Sequence, residues 1–237
     1  MKISGSVALV TGANRGLGRE FARVLLERGA SKVYATARTP ERIDLPGVET
    51  LRIDVTDPTS IQAAADLAAD VTLLVNNAGI ATGTNLVHGD LADIRRELDT
   101  HFWGTLGMVR AFAPALERNG GGAILNVLSA LSWFAYDGAG AYGAAKAAAW
   151  NLTNGVRLEL APRGTLVTGL HLGAADTEMM ADYQGPKVAP ANVVRAALDG
   201  IEAGQIEVVV DDWSANVKAS LAGDPAAFYG SAALPAS

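Results

Sequence analysis

Tyr142 and Lys146 stand four residues apart in a run, Tyr142-Gly143-Ala144-Ala145-Lys146, with the composition of a helix. Residues at that spacing project from one helix face, so a phenol and an ammonium can meet there. A neighbouring cation favours the phenolate. At ~4 Å and an effective dielectric of about 20 the attraction is about 4 kcal/mol. That is enough to bring a phenol with an ordinary pKa of about 10 towards neutrality, less what desolvation takes back. A tyrosine so tuned can give or take a proton. Ser129 follows the strand-like run Ala123–Leu128 and supplies a hydroxyl at the end of a strand, with Ser132 as its rival. An isolated Tyr-x-x-x-Lys is more often a solvated helix face. Its meaning here comes from a second motif at the other end of the chain.

Thr11-Gly12-Ala13-Asn14-Arg15-Gly16-Leu17-Gly18 joins the first β-rich run to the first helical one. Gly12 permits a tight turn, Gly16 lets backbone approach a pyrophosphate, and Gly18 lets the helix pack closely on the sheet. The helix N-terminus then offers free N–H groups to phosphate. Glycines also end strands for steric reasons alone, but the first β–α junction is the place a dinucleotide site requires. A phosphate loop of the Gly-Lys-Ser/Thr kind is absent. The second strand ends in Ala37-Arg38-Thr39 with no acid, where an NAD site carries Asp or Glu and an NADP site carries arginine. Arg15 and Arg38 are therefore the expected clamps on a 2′-phosphate, and NADP(H) is the expected cofactor. The alternative is two solvated surface arginines.

These motifs need a frame. Short apolar strands at Val7–Thr11, Lys32–Thr36, Thr50–Ile53, Val71–Val75, Ala123–Leu128, Leu166–His171 and Ile206–Val210 alternate with helical runs. The helices are expected at Gly16–Arg28, from an Asp57 cap to Ala69, over an interrupted Asp90–Arg118, at Ala141–Leu160 and at Ala191–Ala203. Near-continuously apolar strands separated by helices indicate a parallel sheet covered on both faces. The predicted fold is α/β: one Rossmann-type, doubly wound, seven-stranded domain over residues 1–237, with about the last eight residues frayed.

Composition narrows the function. A chain of 237 residues with net charge −6 and no basic run argues against nucleic acid or anionic membrane as partners. With no cysteine, disulfides, thiolate metal sites and a cysteine nucleophile are excluded. The N-terminus lacks a signal-peptide pattern, and the default expectation is a cytoplasmic protein. His88 and His171 have no carboxylate or second histidine at ligand spacing, so packing is their expected role and no metal is expected.

The glycine turn, Asn76-Asn77-Ala78-Gly79 after the fourth strand and Ser129…Tyr142-x-x-x-Lys146 together resemble the single-domain short-chain dehydrogenase/reductases over nearly the whole chain. The resemblance implies that Tyr142 protonates a carbonyl oxygen or deprotonates an alcohol. It implies that Lys146 lowers the tyrosine pKa and holds the nicotinamide ribose, and that Ser129 binds the substrate oxygen. The family's spacing favours Ser129 over Ser132. Cofactor contacts are implied at Gly12, Asn14, Arg15, Gly16, Leu17 and Gly18, at Asp54 and Val55 beside adenine, and at Asn76, Ala78 and Gly79. Asn77 reads as structural. The segment Leu172–Met179 resembles the family's carboxamide-binding loop, so Ala175 and Thr177 are expected to contact cofactor as well. Leu172 stands where proline is usual.

His101 occupies the position of an asparagine that in the family bends a helix and supports a water relay to the lysine. It could preserve the relay, add a titrating group beside it, or weaken catalysis. The rings of Trp133, Phe134 and Tyr136 with Leu131 are expected to border the pocket or else cover the sheet edge; the first reading implies an apolar or aromatic substrate. The Asp176–Pro190 segment resembles a short substrate lid. The Tyr142 helix is small or apolar nearly all round, which implies burial against a second copy in a homodimer or homotetramer. Three functions follow: a reductase of hydrophobic ketones or aldehydes, a 3-oxoacyl-carrier-protein reductase, and a non-catalytic NADP sensor.

Overall fold

The computed structural model describes residues 1–230; most of the tail expected to fray lies outside them. Seven parallel strands, β1 (Val7–Thr11), β2 (Lys32–Ala37), β3 (Glu49–Arg52), β4 (Leu73–Asn76), β5 (Gly122–Val127), β6 (Thr165–His171) and β7 (Glu207–Val209), form one sheet in the order β3-β2-β1-β4-β5-β6-β7. The direction of strand addition reverses between β1 and β4. Crevices for ligands open at such a switch point, beyond the carboxyl ends of the strands.

Each face of the sheet carries its own apolar core. Phe21, Val24 and Leu25 of α1 (Gly16–Glu27) and Val193, Val194, Ala197, Leu198 and Ile201 of α6 (Pro190–Glu202) pack on one face. Ile61 and Ala64 of α2 (Pro58–Leu67), Met108 and Phe112 of α4 (Thr105–Arg118) and Val156 of α5 (Gly140–Leu160) cover the other. Burial of a large apolar side chain contributes about 1.5–3 kcal/mol, so these two layers hold the sheet edges in place. The α2 start is as the sequence implies: Asp57 accepts the Thr59 N–H and Pro58 takes the first position, where its missing donor costs nothing.

The expected interruption of the long third helical region is real. It divides into α3 (Leu91–Leu98), a π-helical turn at Asp99–Gly104, and α4. Two elements were not anticipated, α7 (Asp212–Ser220) and α8 (Pro225–Tyr229). Among the described residues no helix is long and apolar enough to cross a membrane.

Candidate active site

A cavity of about 480 Å³ runs along the carboxyl ends of the strands. One end is the glycine turn. Gly12 has φ +67°, a left-handed conformation that costs other residues free energy. Gly18 faces the Gly12 carbonyl so closely that a Cβ would lie 2.1 Å from that oxygen. Asn77 fixes the turn from beneath, its Nδ2 donating to the Thr11 carbonyl at 2.9 Å and its backbone N–H to Thr11 Oγ1 at 2.9 Å, so it is structural as expected. No side chain caps α1, and its first amides remain free.

Gly12, Asn14, Arg15, Gly16, Leu17, Arg38, Asp54, Val55, Ala78 and Gly79 all line the cavity, as do Ala175 and Thr177. Two expected contacts do not. Gly18 sits behind the wall as a packing glycine. Asn76 turns inward: its Nδ2 donates to Asn126 Oδ1 at 2.9 Å, and Asn126 donates to Thr153 Oγ1 at 2.9 Å. Its Nδ2 is thus engaged in a polar chain between strand and helix, while its buried Oδ1 has no partner among the described residues. Arg42, in a 3-10 turn at Pro40–Arg42, joins Arg15 and Arg38 on the wall. Its spacing of four from Arg38 was the available signal.

The other end holds Ser129, Tyr142, Lys146 and His101. Tyr142 and Lys146 share a face of α5, with the amine 5.5 Å from the ring centroid. Lys146 is 5% exposed and donates to the Val127 carbonyl at 2.8 Å. Burial lowers its pKa to about 8. Burial pushes the Tyr142 phenol above its ordinary range, the Ser129 hydroxyl acting in the opposite sense. Desolvation of the phenolate is the largest influence on it and works against the lowering expected from the lysine. Ser129 closes a 3-10 turn by accepting the Leu131 N–H at 3.1 Å. Ser132 is equally buried but does not line the cavity.

His101 lies in the π-helical turn, almost fully buried, with its ring edge-on to Tyr142 at 5.2 Å and 86°. Its Nε2 is 2.9 Å from the Ile80 carbonyl and 3.2 Å from a Glu97 carboxylate oxygen. Glu97 is a residue that sequence reading missed. Among Arg95, Arg96 and Asp93 it reads as one more solvated charge, and only its i,i+4 relation to His101 could have marked it. His171 packs in the core, its ring stacked on Trp133 at 3.9 Å and its Nδ1 3.1 Å from the Ser129 carbonyl. His88 is exposed. Among the described residues no three acidic or histidine side chains converge as metal ligands.

The aromatic connection does not border the cavity. Trp133 packs on His171 and Trp150, and Phe134 on Trp213 and Phe228 of the C-terminal helices. Ile80, Leu172, Met179 and Met180 are among the apolar residues that line the cavity. The last two belong to the lid segment, which an Ala175–Val188 bridge pins at its base.

A family profile for short chain dehydrogenases matches residues 6–187. The crystal structure of a short chain dehydrogenase from Burkholderia cenocepacia in complex with NADP superposes with TM-score 0.94 at 41% identity, over 99% of this chain and 100% of that one. The 3-oxoacyl-(acyl-carrier-protein) reductase FabG of Vibrio cholerae is 33% identical over 189 residues, 76% of this chain and 77% of that protein. The NADPH-dependent 1-acyldihydroxyacetone phosphate reductase of Schizosaccharomyces pombe is 34% identical over 186 residues, 75% of this chain. The match spans 62% of that relative's length. The chain belongs to the short-chain dehydrogenase family, and its chemistry is that of an oxidoreductase acting on CH–OH and C=O groups.

Proposed function

We propose that this chain is an NADP(H)-dependent oxidoreductase that interconverts a hydrophobic ketone or aldehyde and its alcohol at a Ser129–Tyr142–Lys146 site. The observation that carries the reading is the convergence of those three side chains on one cavity with the glycine turn. Three arginines and no acid at the end of β2 support the 2′-phosphorylated cofactor, and so does the NADP bound by the Burkholderia relative.

NADPH, when bound along the glycine turn, supplies the hydride. Ser129 Oγ and Tyr142 Oη hold the substrate oxygen, and Tyr142 gives that oxygen its proton. A phenol kept protonated at neutral pH is suited to the reductive direction. Lys146 brings positive charge close to the phenolate that remains. The apolar side chains of Ile80, Leu172, Met179 and Met180 favour an apolar substituent on the carbonyl.

Similarity to FabG favours a second reading, reduction of a 3-oxoacyl thioester. A screen of NADPH consumption over ketones, aldehydes and a 3-oxoacyl thioester separates the two. Turnover with NADPH is expected on an apolar ketone or aldehyde. Arg38→Ala should weaken NADPH binding about tenfold to a hundredfold, the loss of one charge-assisted hydrogen bond, and leave NADH binding unchanged. Equal affinity of the unmodified chain for both nucleotides would refute the cofactor assignment. Trp103 and Leu158, 60% and 78% exposed, lie outside the cores and support assembly as a homodimer or homotetramer.

A further inference from the structure

Glu97 is fully buried at the end of α3, where an unpaired carboxylate would be costly. One oxygen accepts the Thr82 N–H at 2.6 Å, and the other, with no hydrogen bond of its own, lies 3.2 Å from His101 Nε2. Burial opposes its charge, yet those two neighbours together bring its pKa below the ordinary range.

The imidazole is gripped on one edge only. Its Nε2 is hydrogen-bonded to the Ile80 carbonyl at 2.9 Å with a Glu97 carboxylate oxygen 3.2 Å away, while the Ile80 N–H approaches the same nitrogen at a longer 3.4 Å. The closer carbonyl, with the carboxylate beside it, assigns the proton to Nε2. Nδ1 then carries the lone pair, and it has no hydrogen-bond partner among the described residues. The ring borders the cavity beside Tyr142 and Lys146. It is clamped from the other side as well: a Cβ on Gly79 would lie 2.6 Å from its Cε1. The π-helical turn, a form found mostly at functional sites, sets the backbone that makes this possible.

We propose that Glu97 is a positioning residue of the active site: it holds His101 through Nε2 and thereby presents Nδ1 to the cavity as the proton-accepting atom beside Tyr142 and Lys146. The inference rests on the Ser129–Tyr142–Lys146 reading for its catalytic meaning, but not for its geometry. The ionisable groups facing the imidazole are Glu97 from α3 and Tyr142 and Lys146 from α5. Burial and the Lys146 charge both lower the His101 pKa, with Glu97 acting against them, so the ring is neutral and Nδ1 is basic at neutral pH.

Two readouts test this. Nitrogen-15 NMR of the histidine rings, with His101→Asn assigning the signal, reports the tautomer without any turnover. The Nε2–H form is expected in the unmodified chain. Glu97→Gln should raise the share of the Nδ1–H form, because the single glutamine oxygen is engaged by Thr82 and the amide N–H₂ then competes for Nε2 against the Ile80 carbonyl. Kinetically, Glu97→Gln should lower kcat about tenfold or more with the KM for NADPH unchanged, the size seen when the support of an imidazole is removed. In a His101→Asn background the same substitution should cost nothing further, since the partner through which it acts is gone. An Nδ1–H tautomer in the unmodified chain overturns the proposal, and this holds even if Glu97→Gln does not fold. So does an equal loss of kcat in both backgrounds. If no carbonyl substrate is turned over at all, the functional reading fails, while the tautomer result still decides the role of Glu97.

Discussion

Lys146 is the costliest residue of the site. Its ammonium is almost fully buried and has a single carbonyl partner, so its pKa falls from an ordinary 10.5 to about 8. Between those values the folded chain binds fewer protons than the unfolded one, and stability rises with pH. The cost is fully present below pH 8 and amounts to about 3 kcal/mol, an order-of-magnitude figure. Tyr142 acts in the opposite sense only above pH 10, because its raised pKa keeps the proton on the folded form. Lys146→Met should therefore stabilise the chain at pH 7 by about 1–3 kcal/mol, net of the orphaned Val127 carbonyl, and flatten the rise between pH 8 and 10. Urea unfolding at pH 7 and 9.5 measures this, and equal destabilisation at both would contradict it. The three residues proposed to react were legible because their signal lies in spacing along strand and helix. Their electrostatics were not, because desolvation depends on what packs around them. Glu97 was hidden for the same reason: a carboxylate among surface charges shows its burial only in three dimensions.

The glycine turn shows how an element positions chemistry. The approach of α1 to β1 is set by Gly18 against the Gly12 carbonyl, with Asn77 Nδ2 also within 2.5 Å of where a Cβ would stand. Backbone cannot yield there as a flexible side chain would. Gly18→Ala should cost about 1–3 kcal/mol of stability and weaken NADPH binding, read by thermal unfolding and fluorescence titration; an unchanged Tm and affinity would show that the turn tolerates the shift. Strand and helix alternation was readable because parallel strands buried on both faces leave continuous apolar runs. The break in the third helical region was readable too, though not its π-helical form. What escaped was the C-terminal pair, α7 and α8. Trp213 and Tyr229 are exposed and α7 buries little beyond Ser214 and Val217, so neither carries a clear apolar stripe. The local signal was capping: Asp211 accepts the Ser214 N–H and Asp224 the Ala226 N–H.

Two cores on opposite faces of one sheet leave several large apolar side chains exposed, among them Trp103 in the π-helical turn and Leu158 on α5. Part of the excess expected on α5 is satisfied internally, since Trp150 meets Trp133. Leu158 is not. Light scattering should give a mass two or four times that of one chain, and Leu158→Glu should lower it; a single-chain mass at micromolar concentration would contradict the assembly. The enzyme assignment itself depends on one proton. In Tyr142→Phe the ring, its packing on His101 and the cofactor groove are retained, and only the hydroxyl is lost. NADPH affinity should be unchanged while the rate of ketone or aldehyde reduction falls roughly a hundredfold to ten-thousandfold, the contribution of a positioned general acid. Turnover that survives in Tyr142→Phe at the unmodified rate would remove the proposed proton donor and the account with it.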